Sequence, residues 1–301
     1  MYPLVSIVMC VYNGERYLHQ QIESILAQTY PEIELLILDD LSTDSSIDII
    51  NESIKKDSRI RLVQNTENLG FNKNFEKGFS LSLGELIAIS DQDDIWLPDK
   101  ISRLVENLGD HILIYSNSTV IDEQGDALPL KLDTKINHID QPGFKAFLDD
   151  NFITGHTCLF KRELLNYMLP FPGEVFFYDW WMGFVAAYVG QVKYLDEVLT
   201  RYRVHSQSVC QLLDNIPQKK TIWAASKRKQ TEAFAAAPFL ISSDANFIRT
   251  FLNKTSEARI NFISFLDCYY FMLKNGHEIY PWYKKSRLKK LNYLRKKTLG
   301  K

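Results

Sequence analysis

The sequence predicts an α/β protein in which a mostly parallel, doubly wound sheet is followed by a helical extension. Two observations support this fold class. Apolar strand-like runs alternate with helix-like runs through the first half of the 301 residues, and such alternation is typical of parallel strands joined by crossover helices. After about residue 211 only helical periodicity remains. We therefore predict a domain over residues 1–210 and a helical extension over residues 211–301.

Apolar runs bounded by turn residues are the predicted strands of the sheet. They are rich in Val, Ile and Leu, as expected of strands that are buried on both faces. Five such runs fall at residues 4–11, 33–38, 60–63, 86–89 and 112–115. A later strand is predicted at Cys158–Phe160.

Runs with helical spacing separate these strands. The predicted helices include a run that ends at Gln28, one capped by Ser42, Phe71–Ser82, and one that begins at Pro98. Ser is a common N-cap, and Pro fits the first helical position. Residues 219–237 and 245–273 are predicted to be helical in the extension. The polar segment from Asp122 to Pro142 is predicted to be a connection that borders the site.

Composition excludes some classes of protein and leaves others open. Charged residues make up 24% and the net charge is −2, so nothing in the totals indicates a nucleic-acid-binding protein. The segment 279–301 nevertheless holds nine Lys or Arg and no acid, with Trp and Tyr among them. Such a segment predicts peripheral contact with the inner face of a cell membrane. A solvated helix face and nucleic-acid contact are the alternatives.

Cysteine usage and the absence of targeting signals predict a cytoplasmic protein that is soluble or peripheral. The four cysteines form no Cys-x-x-Cys pair, which argues against a zinc knuckle and fits a reducing compartment. The N-terminal residues run straight into a strand pattern without a basic segment, so no signal peptide is expected. No apolar stretch approaches the ~18 residues that a spanning helix needs.

Acidic residues follow two of the predicted strands. Asp39 and Asp40 come after the second strand, and the run Asp91-Gln92-Asp93-Asp94 follows the fourth. Ligands of doubly wound sheets bind outside the carboxyl ends of the strands, and Mg²⁺ prefers carboxylates together with substrate phosphates. The alternatives are a solvated acidic turn for the run 91–94, and helix capping or a phosphoacceptor role for Asp39-Asp40.

Three ordered motifs resemble those of the family 2 glycosyltransferases, which have the GT-A nucleotide-diphospho-sugar transferase fold. The motifs are Val11-Tyr12-Asn13-Gly14, then Asp39-Asp40-Leu41-Ser42-Thr43-Asp44, then Asp91-Gln92-Asp93-Asp94. The resemblance covers residues 3–120 and weakens up to residue 206. It implies an inverting transfer of a hexose from a UDP- or dTDP-sugar to an acceptor hydroxyl. The string Ser-Asp-Gln-Asp-Asp-Ile-Trp is similar to that of rhamnosyltransferase-like enzymes, which implies a polyprenyl-linked glycan acceptor in surface polysaccharide synthesis.

The resemblance also implies roles for single residues. The residues implied to bind the donor are Tyr12, Asp39, Asp40, Asn68, Lys73, Asp91 and Arg203. Those implied to bind a divalent metal ion, Mn²⁺ or Mg²⁺, are Asp91, Asp93 and His205. Arg203 and His205 belong to the run Tyr202-Arg203-Val204-His205, which resembles a late Y-R-x-H motif of the family.

A general base is implied within Phe177-Tyr178-Asp179-Trp180-Trp181. Asp179 is the implied base, although Tyr178 stands where the family usually has Glu. The residues predicted to contact the acceptor or the sugar are Gly155, His156, Trp180 and Trp181. The alternatives are a structural histidine, and two tryptophans of the core beside an Asp179 that caps the helix.

Two other functions share this fold class. A nucleotidyltransferase would normally have a glycine-rich basic loop after the first strand, and Val11–Glu15 is not such a loop. A non-catalytic scaffold that binds nucleotide sugars would lack the metal aspartates or the base, and both are present in the sequence. We therefore favour the transferase.

Overall fold

A computed structural model describes residues 2–131, 137–173, 175–206, 219–258, 260–283 and 285–298. The strands are β1 Val5–Val11, β2 Ile33–Asp39, β3 Ile60–Gln64, β4 Leu86–Ser90, β5 Ile95–Trp96, β6 Leu113–Ile121, β7 Ala127–Lys131, β8 Cys158–Lys161 and β9 Val192–Arg203. The helices of the first domain are α1 Leu18–Leu26, α2 Ser46–Lys56, α3 Gly70–Leu81, α4 Lys100–Leu108, α5 Leu165–Met168 and α6 Tyr178–Val189. The helices of the extension are α7 Lys219–Ala235, α8 Ser242–Glu257, α9 Phe262–Ile279 and α10 Arg287–Thr298.

One mixed sheet organises the described residues. Its order is β3-β2-β1-β4-β8-β6-β9-β5, and β7 pairs with β6. Strands β1 to β4 are parallel, as predicted. Strand β8 is antiparallel to both of its neighbours, β4 and β6, so the second half of the sheet is mixed. The predicted α/β fold class is confirmed.

Helices cover both faces of the sheet, which is why the early strands are apolar throughout. On one face, Ile22 of α1, Ile50 of α2 and Leu104 of α4 belong to one apolar cluster. On the other face, Phe79 of α3 and Trp181 of α6 belong to a second cluster, which also includes residues of the extension. This doubly wound arrangement places the carboxyl ends of β1, β2 and β4 at a common edge.

The extension packs on the first domain. Phe234 of α7 stacks on Phe184 of α6 at 4.1 Å between ring centroids. Trp282, between α9 and α10, lies 4.7 Å from the ring of Phe152. The predicted domain boundary at residue 210 lies outside the described residues and stays a prediction.

Three predicted helix limits differ from the structure. Helix α2 begins at Ser46 and not after Ser42, because the Ser42 hydroxyl accepts a hydrogen bond from the Asn13 backbone N–H instead of capping a helix. Pro98 precedes α4, and its carbonyl accepts from the Thr29 N–H. The run 245–273 is two helices, because extended Asn261 caps α9 through its side chain.

The described cysteines Cys10, Cys158 and Cys268 are free thiols. Cys210 lies outside the described residues. Among the described residues, no helix combines the length and apolar character needed to cross a bilayer.

Candidate active site

Asp40, directly after β2, is bound to the beginning of α3. Its carboxylate accepts hydrogen bonds from the backbone N–H groups of Leu69 and Gly70, at 2.8 and 2.9 Å, and from the Asn65 amide at 2.8 Å. A carboxylate is favourable at a helix N-terminus because the first N–H groups lack partners within the helix. Asn68 closes the same turn by donating to the Asp40 carbonyl at 3.1 Å. Asp40 is 4% exposed, so its carboxylate shapes this turn.

Asp39 has one carboxylate oxygen without a protein partner. Its Oδ2 accepts from the Ser42 N–H at 3.1 Å, while its Oδ1 is buried and accepts no hydrogen bond from the described residues. A buried acceptor without a partner is costly, and such atoms often mark a ligand or functional contact. Asp39 therefore offers an acceptor to a donor group of a bound molecule.

Gln92 joins the turn after β1 to the acidic run after β4. Its side-chain amide accepts from the Tyr12 N–H at 2.9 Å and donates to the Tyr12 carbonyl at 3.2 Å. A Cβ atom at Gly14 would lie 2.5 Å from Oε1 of Gln92, so a larger residue there would displace the Gln92 amide. The two motifs are therefore in contact, and the Tyr12 side chain is left 50% exposed.

Asp93 and His205 form a direct pair. Oδ2 of Asp93 lies 2.7 Å from Nε2 of His205, which follows the end of β9. The His205 ring packs against Tyr17, with centroids 5.1 Å apart. The structure thus brings together two of the three predicted metal ligands.

Arg203 directs its guanidinium to protein groups. Nε donates to the Asp93 carbonyl at 2.8 Å, Nη1 to the carbonyls of Asp122 and Glu123, and Nη2 to the Gln20 amide oxygen at 2.8 Å. Arg203 is 2% exposed. This placement differs from the predicted contact with the nucleotide sugar, because the guanidinium donates its hydrogen bonds to four protein oxygens instead.

A second group of possible metal ligands shares Asp91. One ligand atom each of Asp91, Asp94 and His156 lies within 4.8 Å of the others. Asp94 is fully buried, and its Oδ2 accepts no hydrogen bond from the described residues. Burial lowers the pKa of His156 to about 3, so its imidazole is neutral, which is the form that binds metals.

The three carboxyl groups of the run 91–94 repel one another. Burial, followed by the negative charge of Asp93 and then that of Asp179, raises the pKa of Asp91 to about 7. Burial and the charges of Asp93 and Asp91 also raise the pKa of Asp94. Both shifts have the direction expected of buried carboxyl groups that lie close to other negative charges.

Lys100 is a buried cation beneath these acids. Its ammonium donates to the His156 carbonyl at 2.5 Å and to the Thr200 hydroxyl at 2.8 Å, and lies 3.8 Å from the centre of the Trp96 ring. Burial lowers the pKa of Lys100 to about 7, against the raising effect of Asp94. Sequence analysis missed Lys100, because a lysine after Pro-Asp at a helix start gives no signal of burial.

Asp179 lies in the first turn of α6 and is linked to the acidic run through neighbouring residues, because Gly155 contacts Asp179 and His156 contacts Asp91. The Asp179 carboxylate accepts from the Asn151 amide at 3.1 Å and from the Gly155 N–H at 3.2 Å. Burial raises the pKa of Asp179 to about 6, although these hydrogen bonds lower it. Glycine is required at 155, because a Cβ atom there would overlap the Tyr178 hydroxyl. Sequence analysis missed Asn151.

Trp180 and Trp181 lie in the core and not in the cleft. Each is 1% exposed. Their indole N–H groups donate to the carbonyls of Phe147 and Met168, at 2.8 and 3.0 Å. The predicted contact of these two rings with a sugar does not fit this placement, because both rings are buried against Phe234 of α7. The alternative of two core tryptophans fits it.

Charge effects act between several of these acidic groups and their neighbours. Burial raises the pKa of Cys10, near the end of β1, and the charges of Asp40 and Asp91 add to this effect. The charge of Asp179 acts on Asp91 in turn. Lys73 lies apart from these groups: it forms an ion pair with Glu76 at 2.8 Å beside the beginning of α3.

Comparison with known families decides the classification. The model of the family described as "Glycosyl transferase family 2" matches residues 6–169. The chain belongs to this family. The match covers β1 to α5 and therefore includes both acidic motifs.

Two relatives show how far the similarity of this family 2 member extends. An uncharacterized glycosyltransferase of Haemophilus influenzae is 37% identical over 172 residues, which are 56% of this chain and 66% of that protein. TuaG of Bacillus subtilis, named for teichuronic acid biosynthesis, is 36% identical over 104 residues, 35% of this chain and 41% of TuaG. The chain thus spans no more than about two thirds of either relative.

Solved structures show the same fold at low identity. The S. aureus protein TarS, residues 1–349 with UDP-GlcNAc, superposes with a TM-score of 0.62 at 15% identity and covers 99% of this chain and 88% of that one. The mannosyltransferase PcManGT of Pyrobaculum calidifontis, with GDP-Man and Mn²⁺, superposes with a TM-score of 0.56 at 16% identity. The superposition covers 95% of this chain and 89% of that one. These likenesses support the GT-A fold.

Proposed function

We propose that this chain is an inverting glycosyltransferase that moves a hexose from a UDP- or dTDP-sugar to an acceptor hydroxyl. The observation that supports this best is the closeness of Asp179 to the acidic run: the neighbouring residues Gly155 and His156 contact Asp179 and Asp91, at 3.2 and 3.6 Å. A carboxyl group with a pKa of about 6 is ionised at neutral pH and still basic enough to accept a proton. Family membership supports the same reaction class.

The donor occupies the hollow at the carboxyl ends of β1, β2 and β4 in this proposal. The exposed ring of Tyr12 covers the nucleotide base, and Oδ1 of Asp39 accepts from a base N–H or a ribose hydroxyl. Asp40 and Asn68 act indirectly, by holding the turn before α3. TarS with UDP-GlcNAc and PcManGT with GDP-Man support a nucleotide-sugar partner.

A divalent cation fits the acidic run. Oδ2 of Asp94 is buried and accepts no hydrogen bond from the described residues, and one ligand atom each of Asp91, Asp94 and His156 lies within 4.8 Å of the others. We assign the ion, Mn²⁺ or Mg²⁺, to Asp91, Asp93 and His205, because Asp94 and His156 are more deeply buried. When bound, it would neutralise charge on the leaving diphosphate.

The protein residues then have distinct tasks. Asp179 takes the proton of the acceptor hydroxyl, whose oxygen forms a bond to C1 of the sugar while the bond from C1 to the phosphate oxygen breaks. Asn151 and the Gly155 N–H hold the Asp179 carboxylate for this step. Arg203 is proposed as a positioning residue that fixes the backbone of Asp93.

We further propose a polyprenyl-linked glycan as the acceptor, reached at the inner face of the cell membrane. The name of TuaG supports a polymer product. Helix α9 supports membrane contact, because it exposes an apolar face made of Phe262, Ile263, Leu266, Tyr270 and Leu273. Exposed Lys289, Arg295 and Lys296 of α10 supply positive charge in the same helical extension, which complements anionic lipids.

A donor panel tests the proposed activity. UDP-, dTDP- and GDP-sugars are incubated with Mn²⁺ or Mg²⁺, and release of nucleoside diphosphate is measured. The wild type is expected to release it from a UDP- or dTDP-sugar. Asp179→Asn should bind the same donor and lose the transfer, whereas Asp110→Asn, in an exposed turn, should match the wild type. Donor binding without release in the wild type would instead favour a scaffold.

A further inference from the structure

Four aromatic rings form a cluster beside the beginnings of α3 and α6. The ring of Phe177 lies 6.1 Å from Phe71, 4.4 Å from Phe176 and 5.9 Å from Trp223, and Phe176 lies 5.9 Å from Trp223. We call these four residues the aromatic platform. Phe71 is 39% and Trp223 38% exposed, so the platform is open to solvent.

The platform lies at the substrate edge of the sheet. Phe71 is in the first turn of α3, and the two residues before it, Leu69 and Gly70, donate their N–H groups to Asp40. Phe177 precedes α6 and stands two residues before Asp179. The rings therefore link the beginning of α3, beside the proposed nucleotide site, to the beginning of α6, which carries the proposed base.

Two side-chain amides, of Gln230 and Asn72, hold this exposed surface in place. The fully buried Gln230 of α7 accepts hydrogen bonds from the N–H groups of Phe176 and Phe177, at 2.8 and 3.2 Å. Asn72 of α3 donates to the Phe176 carbonyl at 3.0 Å and accepts from the Tyr178 N–H at 3.0 Å. Such support limits the mobility that a surface loop would otherwise have, as expected of a preorganised binding surface.

A groove of about 250 Å³ adjoins the platform. It shares Phe71 with the platform and is also lined by Phe171, Pro172 and Val175, with Asn72 and Lys73 as polar groups. Small-molecule sites are mostly apolar with a few polar groups that fix orientation. A pyranose ring has this character, because its C–H faces are apolar and its rim carries hydroxyls.

We propose that the aromatic platform and this groove bind the acceptor sugar ring whose hydroxyl is presented to Asp179. The assignment rests on the proposed function, since it identifies the acceptor subsite of that reaction. Trp223 and Gln230 belong to α7, so the helical extension completes the substrate site. Lys73 is then an acceptor contact instead of a donor contact. A sugar is preferred to a polyprenyl chain, because the groove is short and includes Asn72 and Lys73.

Steady-state kinetics test the subsite. The probes are p-nitrophenyl glycosides of glucose, galactose, N-acetylglucosamine and rhamnose, used with the nucleotide sugar that the wild type accepts. Trp223→Ala is expected to raise the KM for the glycoside by about tenfold and to change the KM for the nucleotide sugar less than twofold. Trp223→Phe should restore most of the loss. Tyr167→Ala, an exposed aromatic residue on α5, is the control and should match the wild type.

Fluorescence gives a second measurement that does not need turnover. Trp96, Trp180 and Trp181 are buried, so acrylamide quenching reports mainly on Trp223 and the partly exposed Trp282. A glycoside should protect the wild type from quenching and should have less effect in Trp223→Phe. An unchanged glycoside KM in Trp223→Ala, or protection by polyprenyl phosphate but by no glycoside, would overturn the subsite. Absence of nucleoside diphosphate release with every donor would instead reject the proposed function.

Discussion

The ammonium of Lys297 lies 2.6 Å from Oδ2 of Asp149, although 148 residues separate them. Burial lowers the pKa of Lys297, but the charges of Asp149 and Asp150 outweigh this and raise it. Asp149 begins the segment that continues to Asn151, which donates to Asp179. The end of the basic segment is therefore attached to the loop that holds the proposed base.

Replacing Lys297 should reduce turnover more than substrate binding. We expect Lys297→Met to lower the free energy of unfolding by about 1–2 kcal/mol, because Asp149 and Asp150 lose one of their two cationic partners and keep only the longer contacts with Lys227, at 3.7 and 3.9 Å. It should also lower kcat several-fold, with the donor KM little changed, because Asn151 loses its support. Denaturant melts and steady-state kinetics measure both effects. The neighbouring exposed Lys296→Met is the control, and equal behaviour of the two variants would contradict this coupling.

The pH profile of transfer should report Asp179. Its pKa is about 6, and a general base works only when it is deprotonated. The rate is therefore expected to be constant above about pH 7 and to fall tenfold per pH unit well below pH 6. Asp179→Asn should lower kcat by about 10²- to 10⁴-fold. Its residual rate should no longer fall at acidic pH. An acidic limb that persists in Asp179→Asn would assign the titration to another group.

Metal binding should depend on Asp93 more than on His156. Isothermal titration calorimetry should show that Asp93→Asn lowers the affinity for Mn²⁺ by about tenfold or more, and that His156→Gln lowers it less. The opposite order would move the ion to the group of Asp91, Asp94 and His156. Because the pKa of Asp91 is about 7 without metal, protons compete with the ion, so affinity should increase as the pH rises through 7.

The fold and the acidic motifs could be predicted because their signals are local. Apolar runs such as 33–38 need burial on both faces, and a strand end with Asp39-Asp40 or Asp91–Asp94 must lie at the edge where parallel strands end. Contacts that depend on tertiary packing gave no such signal. Lys100 and Gln230 are buried only because β9 and α6 cover them.

Two aromatic residues were predicted to lie in the site and lie in the core instead, again because their position depends on tertiary packing. Trp180 and Trp181 follow the predicted base directly, so the sequence placed them in the site. The helical phase of α6 turns both rings into the core. Trp223, which lies more than 40 positions after Asp179 in the sequence, is the tryptophan that contacts Phe177 at the beginning of α6, because α7 packs back on α6.

Arg203 should behave as a structural cation. Its guanidinium donates to four protein oxygens and is nearly fully buried. We expect Arg203→Lys to lower the free energy of unfolding by about 2–4 kcal/mol, because an ammonium cannot reach these acceptors together. Arg201→Lys, on the exposed side of β9, should be neutral. If Arg203→Lys kept its stability and raised only the donor KM, direct contact with the diphosphate would be supported instead.

The apolar face of α9 should bind anionic lipid. Vesicles of phosphatidylglycerol are expected to sediment the wild type, whereas phosphatidylcholine vesicles should not, because the exposed lysines and arginines of α10 complement only a negative surface. The double variant Ile263→Glu, Leu266→Glu should weaken this binding tenfold or more, since about 1.5–3 kcal/mol is lost for each apolar side chain that no longer inserts. Leu83→Glu, at an exposed leucine after α3, controls for added negative charge. Equal vesicle binding by the double variant and by Leu83→Glu would show that α9 does not contact the lipid. If the wild type formed a dimer and the double variant were a monomer, the apolar face of α9 would instead bind a second copy of the chain.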